Sequence, residues 1–210
     1  MNYCDEQRLG QERVRDYLAR HGRGERRLIR ERCRDYLNFR ERVAAFQSRY
    51  FQSHCHAACF QQQRSACCSK DGIVTFFADL VVNAVVSEPS ALDALIASLR
   101  TPRNDMKCIY LGPAGCRWQL KPIVCEMFIC DRAKQEVFAA SSRASAMWDV
   151  LKKEEMSFRW PDQVVLFDAN NSDDVIFGGL GGEILANYPN LIGSRNNEDP
   201  PYGLERGVAG

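Results

Sequence analysis

The sequence predicts a mainly α fold on three observations. Apolar residues between 25 and 51 recur at alternating three- and four-residue steps, the apolar run at 73–86 has the length of a helix rather than a strand, and capping residues and prolines punctuate the segments that follow. At 210 residues the chain suits one well-buried domain with extensions, and a second full-size domain would be cramped. Three regions follow: arginine-rich helices over 1–52 packed on a core, a cysteine-rich region over 53–160, and an extension over 161–210.

The first helix is expected over 5–20, with Val14, Tyr17 and Leu18 on one face, and HGRG (21–24) breaks it. A second runs over 25–51, with Ile29, Cys33, Tyr36, Val43 and Tyr50 forming the apolar stripe and Leu37, Ala44 and Phe51 beside it. Residues 1–52 hold 13 Arg and no Lys against 8 acidic residues. The arginines interleave with Glu31, Asp35 and Glu41, which reads as a solvated face more readily than as a nucleic-acid contact.

Residues 53–72, SHCHAACFQQQRSACCSKDG, read as a loop dense in Cys and His. The run IVTFFADLVVNAVV (73–86) reads as a buried helix, and Ser90 as the N-cap of ALDALIASLR, which Pro102 stops. A turn-rich segment containing GPAG leads to Pro122, which suits the first turn of PIVCEMFICDRAKQEVF. One more helix covers about 142–157 and ends before Pro161. QVVLFD (163–168) and DDVIF (173–177) read as short extended segments, and 193–210 as loosely ordered or partner-bound.

The net charge of +1 and a charged fraction of 26% give no global pull toward nucleic acid or anionic lipid. The 73–86 run is too short for the roughly 20 residues that span a bilayer, and it carries Asp79. The start MNYCDEQRLG has no apolar signal core, so the expectation is a cytoplasmic protein. A reducing compartment disfavours lasting disulfides, and the ten cysteines then point to metal or redox chemistry.

Eight of those cysteines fall in two clusters: Cys55, Cys59, Cys67 and Cys68 as C-x3-C-x7-C-C, and Cys108, Cys116, Cys125 and Cys130 as C-x7-C-x8-C-x4-C. Thiolate is a soft donor for zinc or for iron–sulfur iron, and four ligands drawn from two chain segments can staple a small fold. The spacing lacks the C-x2-C knuckle of common zinc fingers and the ferredoxin run, so it leaves the metal open between iron–sulfur cluster and zinc. Cys67 and Cys68 are adjacent and should diverge. Cys125 and Cys130 are five apart, so either the helix is interrupted between them or only one is a ligand. A helix begun at Pro122 would favour thiolate at Cys125 through its dipole. Cys4 and Cys33 lie outside both clusters, and Cys33 reads as a small core residue.

The order of a C-x3-C, a Cys-Cys pair, Cys108 with Leu111, Gly115-Cys116, and Lys121-Pro122-x-x-Cys125-x-x-Phe128-x-Cys130 resembles the cysteine-cluster family of zinc- or iron-chelating proteins. The match covers about 55–130. It departs from that family in a stretched first cluster and in Lys121 where Arg is usual. More remotely the pattern is similar to the cluster region of flagellin lysine-N-methylases, without an S-adenosylmethionine loop. The resemblance implies a metal-binding protein. Two other functions compete with it: an enzyme whose iron–sulfur centre supports redox or methyl transfer, and a zinc-structured module that binds a protein partner through the N-terminal helices or the C-terminal extension.

Other candidates weigh less. His54 and His56 flank Cys55 as competent ligands, but a pair of solvated loop histidines is the simpler reading. No orienting acid marks a Cys–His nucleophile. FGGLGGE (177–183) lacks both the third glycine of a dinucleotide loop and the Lys-Ser/Thr of a P-loop. Trp118, Phe128, Trp148, Phe158 and Trp160 read as core around the metal site rather than a base-stacking platform.

Overall fold

The computed structural model describes residues 3–61, 67–68, 75–101 and 107–158. The extended segments expected at 163–168 and 173–177, the glycine-rich FGGLGGE and Trp160 lie outside the described residues. Within them the chain is mainly helical, as α1 (Tyr3–Arg32), α2 (Arg34–Tyr50), α3 (Gln52–Cys55), α4 (Phe77–Val86), α5 (Pro89–Arg100), α6 (Ile123–Glu126), α7 (Asp131–Ala140) and α8 (Ser142–Glu155). A two-stranded antiparallel hairpin of β1 (Leu111–Gly112) and β2 (Gly115–Cys116) lies between α5 and α6.

The break foreseen at HGRG is a kink at Gly22, whose φ of 73° and ψ of −160° lie where a side chain would be strained. The helix resumes after it. A second boundary, at Cys33, has no sequence signal of the usual kind: Cys33 is buried in the core, carries no side-chain cap bond, and separates α1 from α2. Region 53–72 is not loop at its start. α3 continues into a π-helical turn over His56–Phe60, which widens the backbone by one residue where the first two cluster cysteines sit.

α1 packs on α4 and α5, α2 packs on α3 and α8, and α7 packs on α8. α4 is apolar almost all round, and its residues Phe77–Val85 are buried, so tertiary burial overrides the weak helix propensity of its valines. Asp79 starts it: at the third helical position its Oδ2 accepts the Phe76 N–H at 2.9 Å. α5 is capped at Glu88 with Pro89 in its first turn, so the Ser90 cap is displaced by two residues because proline fixes the entry dihedral. Ser141 caps α8 by accepting the Ala144 N–H at 3.2 Å. No helix among the described residues is long and apolar enough to cross a membrane.

Arginines and acids pair between α1 or α2 and the helices beside them. Arg15 pairs with Asp93 at 3.2 Å, Arg100 with Glu12 at 3.0 Å, and Arg42 with Glu154. Arg26 donates to the carbonyls of Ala84 (2.8 Å), Val85 (3.3 Å) and Ser87 (3.0 Å), which satisfies the C-terminal end of α4.

Asp79 is 2% exposed, and burial pushes its carboxyl up to about 6. The native state therefore holds its proton more tightly than the unfolded chain does. This contribution to stability is full below about pH 4 and is lost as pH rises through about 6, a difference on the order of 3 kcal/mol. Wild type should gain stability relative to Asp79→Asn as pH falls from about 7 to about 4. Urea midpoints of the two proteins across that window measure it, and parallel curves would refute the assignment.

Candidate metal centre

The second cysteine cluster rides on the hairpin and the single-turn helix α6, and buried polar side chains from α2 and α4 hold that segment in place. Arg40, 1% exposed, donates to the Tyr36 hydroxyl at 2.7 Å and to the Lys121 carbonyl, and lies 3.7 Å from the Glu126 carboxylate. Gln47 donates to the Glu126 carbonyl. From α4, Asp79 Oδ1 accepts the Ile123 N–H and Asn83 Oδ1 accepts the Leu120 N–H, each at 3.0 Å. Four side chains thus satisfy backbone groups of residues 120–126 that the single turn of α6 leaves open.

Within the hairpin, Leu111 pairs with Cys116 and Gly112 with Gly115, and the Arg117 N–H donates to the Tyr110 carbonyl at 2.9 Å. Gly115 takes a φ of 109°, the left-handed turn position expected of it before Cys116. Cys108 joins the first cluster directly, because its N–H donates to the Cys68 carbonyl at 2.8 Å. The chain is interrupted between Cys125 and Cys130: α6 ends at Glu126, and Cys130 is the N-cap of α7. The break resolves the spacing problem by freeing the two thiols from a common helix axis. α6 is only four residues, so it has little dipole to offer Cys125, and Pro122 caps that turn rather than entering it.

All ten cysteines are thiols in the structure. Cys67 and Cys68 do not diverge. They share a side-chain hydrogen bond, which raises the Cys67 thiol, lowers that of Cys68, and gives them donor and acceptor roles. Among the other groups acting on Cys68 are Cys108, Cys116 and Cys125. Burial raises the Cys55 thiol, and the sulfurs acting on it are Cys67, Cys130 and Cys59. Burial also raises Cys116, against the pull of the Trp118 N–H on its sulfur. The two cysteine clusters therefore meet at the bond from the Cys108 N–H to the Cys68 carbonyl. Cys33 stands apart in the core, with burial pushing it up to about 12, and Cys4 is half-buried on α1.

The donor chemistry fits a thiophilic ion, but among the described residues no three Cys, His, Asp or Glu side chains are drawn together closely enough to hold one as they stand. His54 Nδ1 lies 3.2 Å from Glu136 on α7, and His56 is exposed and stacks on Phe60 at 5.6 Å.

Trp118 is buried against Tyr110 and Trp148 against Phe46, whereas Phe158 packs on Tyr36 and Phe39. Phe128, expected in the core, is 54% exposed because the chain between α6 and α7 turns it outward. The polar group of Arg40, Gln47, Asp79 and Asn83 was not anticipated from the sequence. Its signal was present in part, as Arg40 and Gln47 continue the stripe through Tyr36 and Val43. No family model matches the chain, and no curated protein or solved structure matches it.

Proposed function

We propose that this chain is a metal-binding protein that takes an iron–sulfur cluster or zinc through Cys55, Cys59, Cys67, Cys68, Cys108, Cys116, Cys125 and Cys130. The observation that supports this reading is the bond from the Cys108 N–H to the Cys68 carbonyl at 2.8 Å, which joins the two cysteine clusters of the sequence in space. Eight exposed or half-buried thiols offer little to packing, whereas soft-metal ligation needs them. The resemblance to the cysteine-cluster family implies the same role and the same residues.

The test is the set of ten single Cys→Ser variants, purified without oxygen and assayed for bound metal per chain. Cys116→Ser and Cys125→Ser should lower metal content, because the hairpin and α6 are the most firmly positioned parts of the site. Cys4→Ser and Cys33→Ser should retain it. An emptied Cys33→Ser protein beside fully loaded Cys116→Ser and Cys125→Ser would overturn the proposal. Visible absorbance that bleaches with dithionite marks iron–sulfur, and a colourless protein with zinc marks the alternative.

A further inference from the structure

We propose that the outer face of α1 and α2 docks a single-stranded nucleic acid, with Arg23, Arg27, Arg30 and Arg34 on its phosphates and one nucleoside seated in the cleft beside Arg30 and Arg34. The inference goes beyond the metal-binding reading and does not depend on it.

In sequence these arginines interleave with Glu25, Glu31 and Asp35, but the helix separates the two signs. At roughly 100° per residue the four arginines fall within an arc of about 60°, and the three acids fall outside it. The phase survives the boundary at Cys33, because the Cys33 N–H bonds the Ile29 carbonyl at 2.9 Å and the Leu37 N–H bonds the Cys33 carbonyl at 2.8 Å. The cleft shows the same alignment, since Arg30 and Arg34 line it together with Leu37, Asn38 and Glu41. All four arginines are exposed.

Protein acids leave this charge open to a ligand. Among the described residues Arg23 and Arg30 have no ion pair, Arg27 approaches Glu31 only to 3.8 Å, and Arg34 approaches Asp35 only to 4.0 Å. Both pairs lie in solvent, so they give way readily to a phosphate. The negative end of α4, whose Val86 borders the cleft, is already occupied by Arg26 through the carbonyls of Ala84, Val85 and Ser87. It does not compete for Arg30 or Arg34.

The chemistry selects among polyanions. Four guanidinium forks spread over about 16 Å of helix suit a run of phosphates, each fork taking two oxygens. The cleft, of about 330 Å³, adds a neutral recognition surface: the Asn38 and Gln119 carboxamides offer donors and acceptors to a base or a sugar, above apolar Leu37, Val86 and Leu120. An acidic peptide has no group that needs such a seat. An anionic bilayer would take apolar side chains from the same face. None of the exposed large apolar side chains lines the cleft, and Leu28, the one on α1, lies about 160° around the helix from Arg30.

Fluorescence anisotropy of the full-length chain with a labelled single-stranded RNA of about 20 nucleotides tests this. Wild type should bind with a Kd on the order of micromolar at about 50 mM salt, and log affinity should fall against log salt with a slope of about −3. Arg30→Gln with Arg34→Gln should weaken binding about tenfold or more and make the slope shallower by about 1 to 2. Asn38→Ala with Gln119→Ala should weaken binding at unchanged slope, because no phosphate contact is lost. Arg143→Gln with Lys153→Gln, a charge-matched pair of exposed sites on α8, should bind as wild type does. Helical circular dichroism should be retained in all three. Undetectable binding by wild type, unchanged affinity in either cleft variant, or an equal loss in the α8 variant would overturn the proposal. So would tighter binding to oligoglutamate, or to vesicles of equimolar phosphatidylserine and phosphatidylcholine, than to the RNA.

Discussion

Arg40→Ala is expected to destabilise the protein by about 3–5 kcal/mol, measured as a shift of the urea midpoint at unchanged slope. The side chain is fully buried, and its loss removes the donor to the Lys121 carbonyl and to the Tyr36 hydroxyl while leaving the Glu126 carboxylate, 8% exposed, without its cation. Desolvated charge without compensation dominates that cost, because an exposed pair would contribute about 1 kcal/mol or less. Adding Glu126→Gln to Arg40→Ala should therefore recover part of the loss. A decrease under about 1 kcal/mol for Arg40→Ala would show that the network is peripheral to stability.

Stripping metal from the reduced, loaded protein with a strong chelator is expected to lower its melting temperature by on the order of 10 °C or more. Free energy of thiolate ligation adds directly to folding when the unfolded chain binds the ion poorly, and for a domain of this length each kcal/mol moves the midpoint by about 2–4 °C. The loss should fall on the hairpin and α6 rather than on α1, α4 and α5, which pack on one another largely through buried apolar side chains. Helical circular dichroism should therefore change less than the thermal midpoint. Identical unfolding curves for loaded and fully stripped protein would remove the structural role of the metal.

The sequence conveyed the helices wherever periodicity and punctuation agreed. The stripe of Ile29, Tyr36 and Val43, the break at HGRG and the α8 segment all have short-range causes, and each is visible within a few residues. It was silent where the cause is long-range. Nothing local marks Cys33 as the end of α1, and the interruption after Glu126 is held by side chains from α2 that lie 79 to 81 residues away in the chain.

Arg40 and Asp79 illustrate the difficulty most clearly. A charged residue in an apolar stripe is ordinarily read as solvated or as an exception, and its real partner here is the backbone of a segment no periodicity could bring near it. The two cysteine clusters were visible in the sequence, whereas the bond that joins Cys108 to Cys68 was not.

The bond from Arg26 to the end of α4 has a consequence for the order in which the molecule opens. Its guanidinium joins positions 58 to 61 residues apart, so the intervening chain, with the whole first cysteine cluster in it, is a closed loop whenever α1 and α4 are docked. Fluctuations that expose the cluster need not undo that closure. The amides of α4, buried on all sides and terminated by a side chain from another helix, exchange with solvent only when the closure itself fails, and they report global unfolding. Those of the π-helical turn and α6 can exchange through smaller openings. The docking of α1 on α4 is thus a clasp that fixes both ends of the segment carrying the first cysteine cluster.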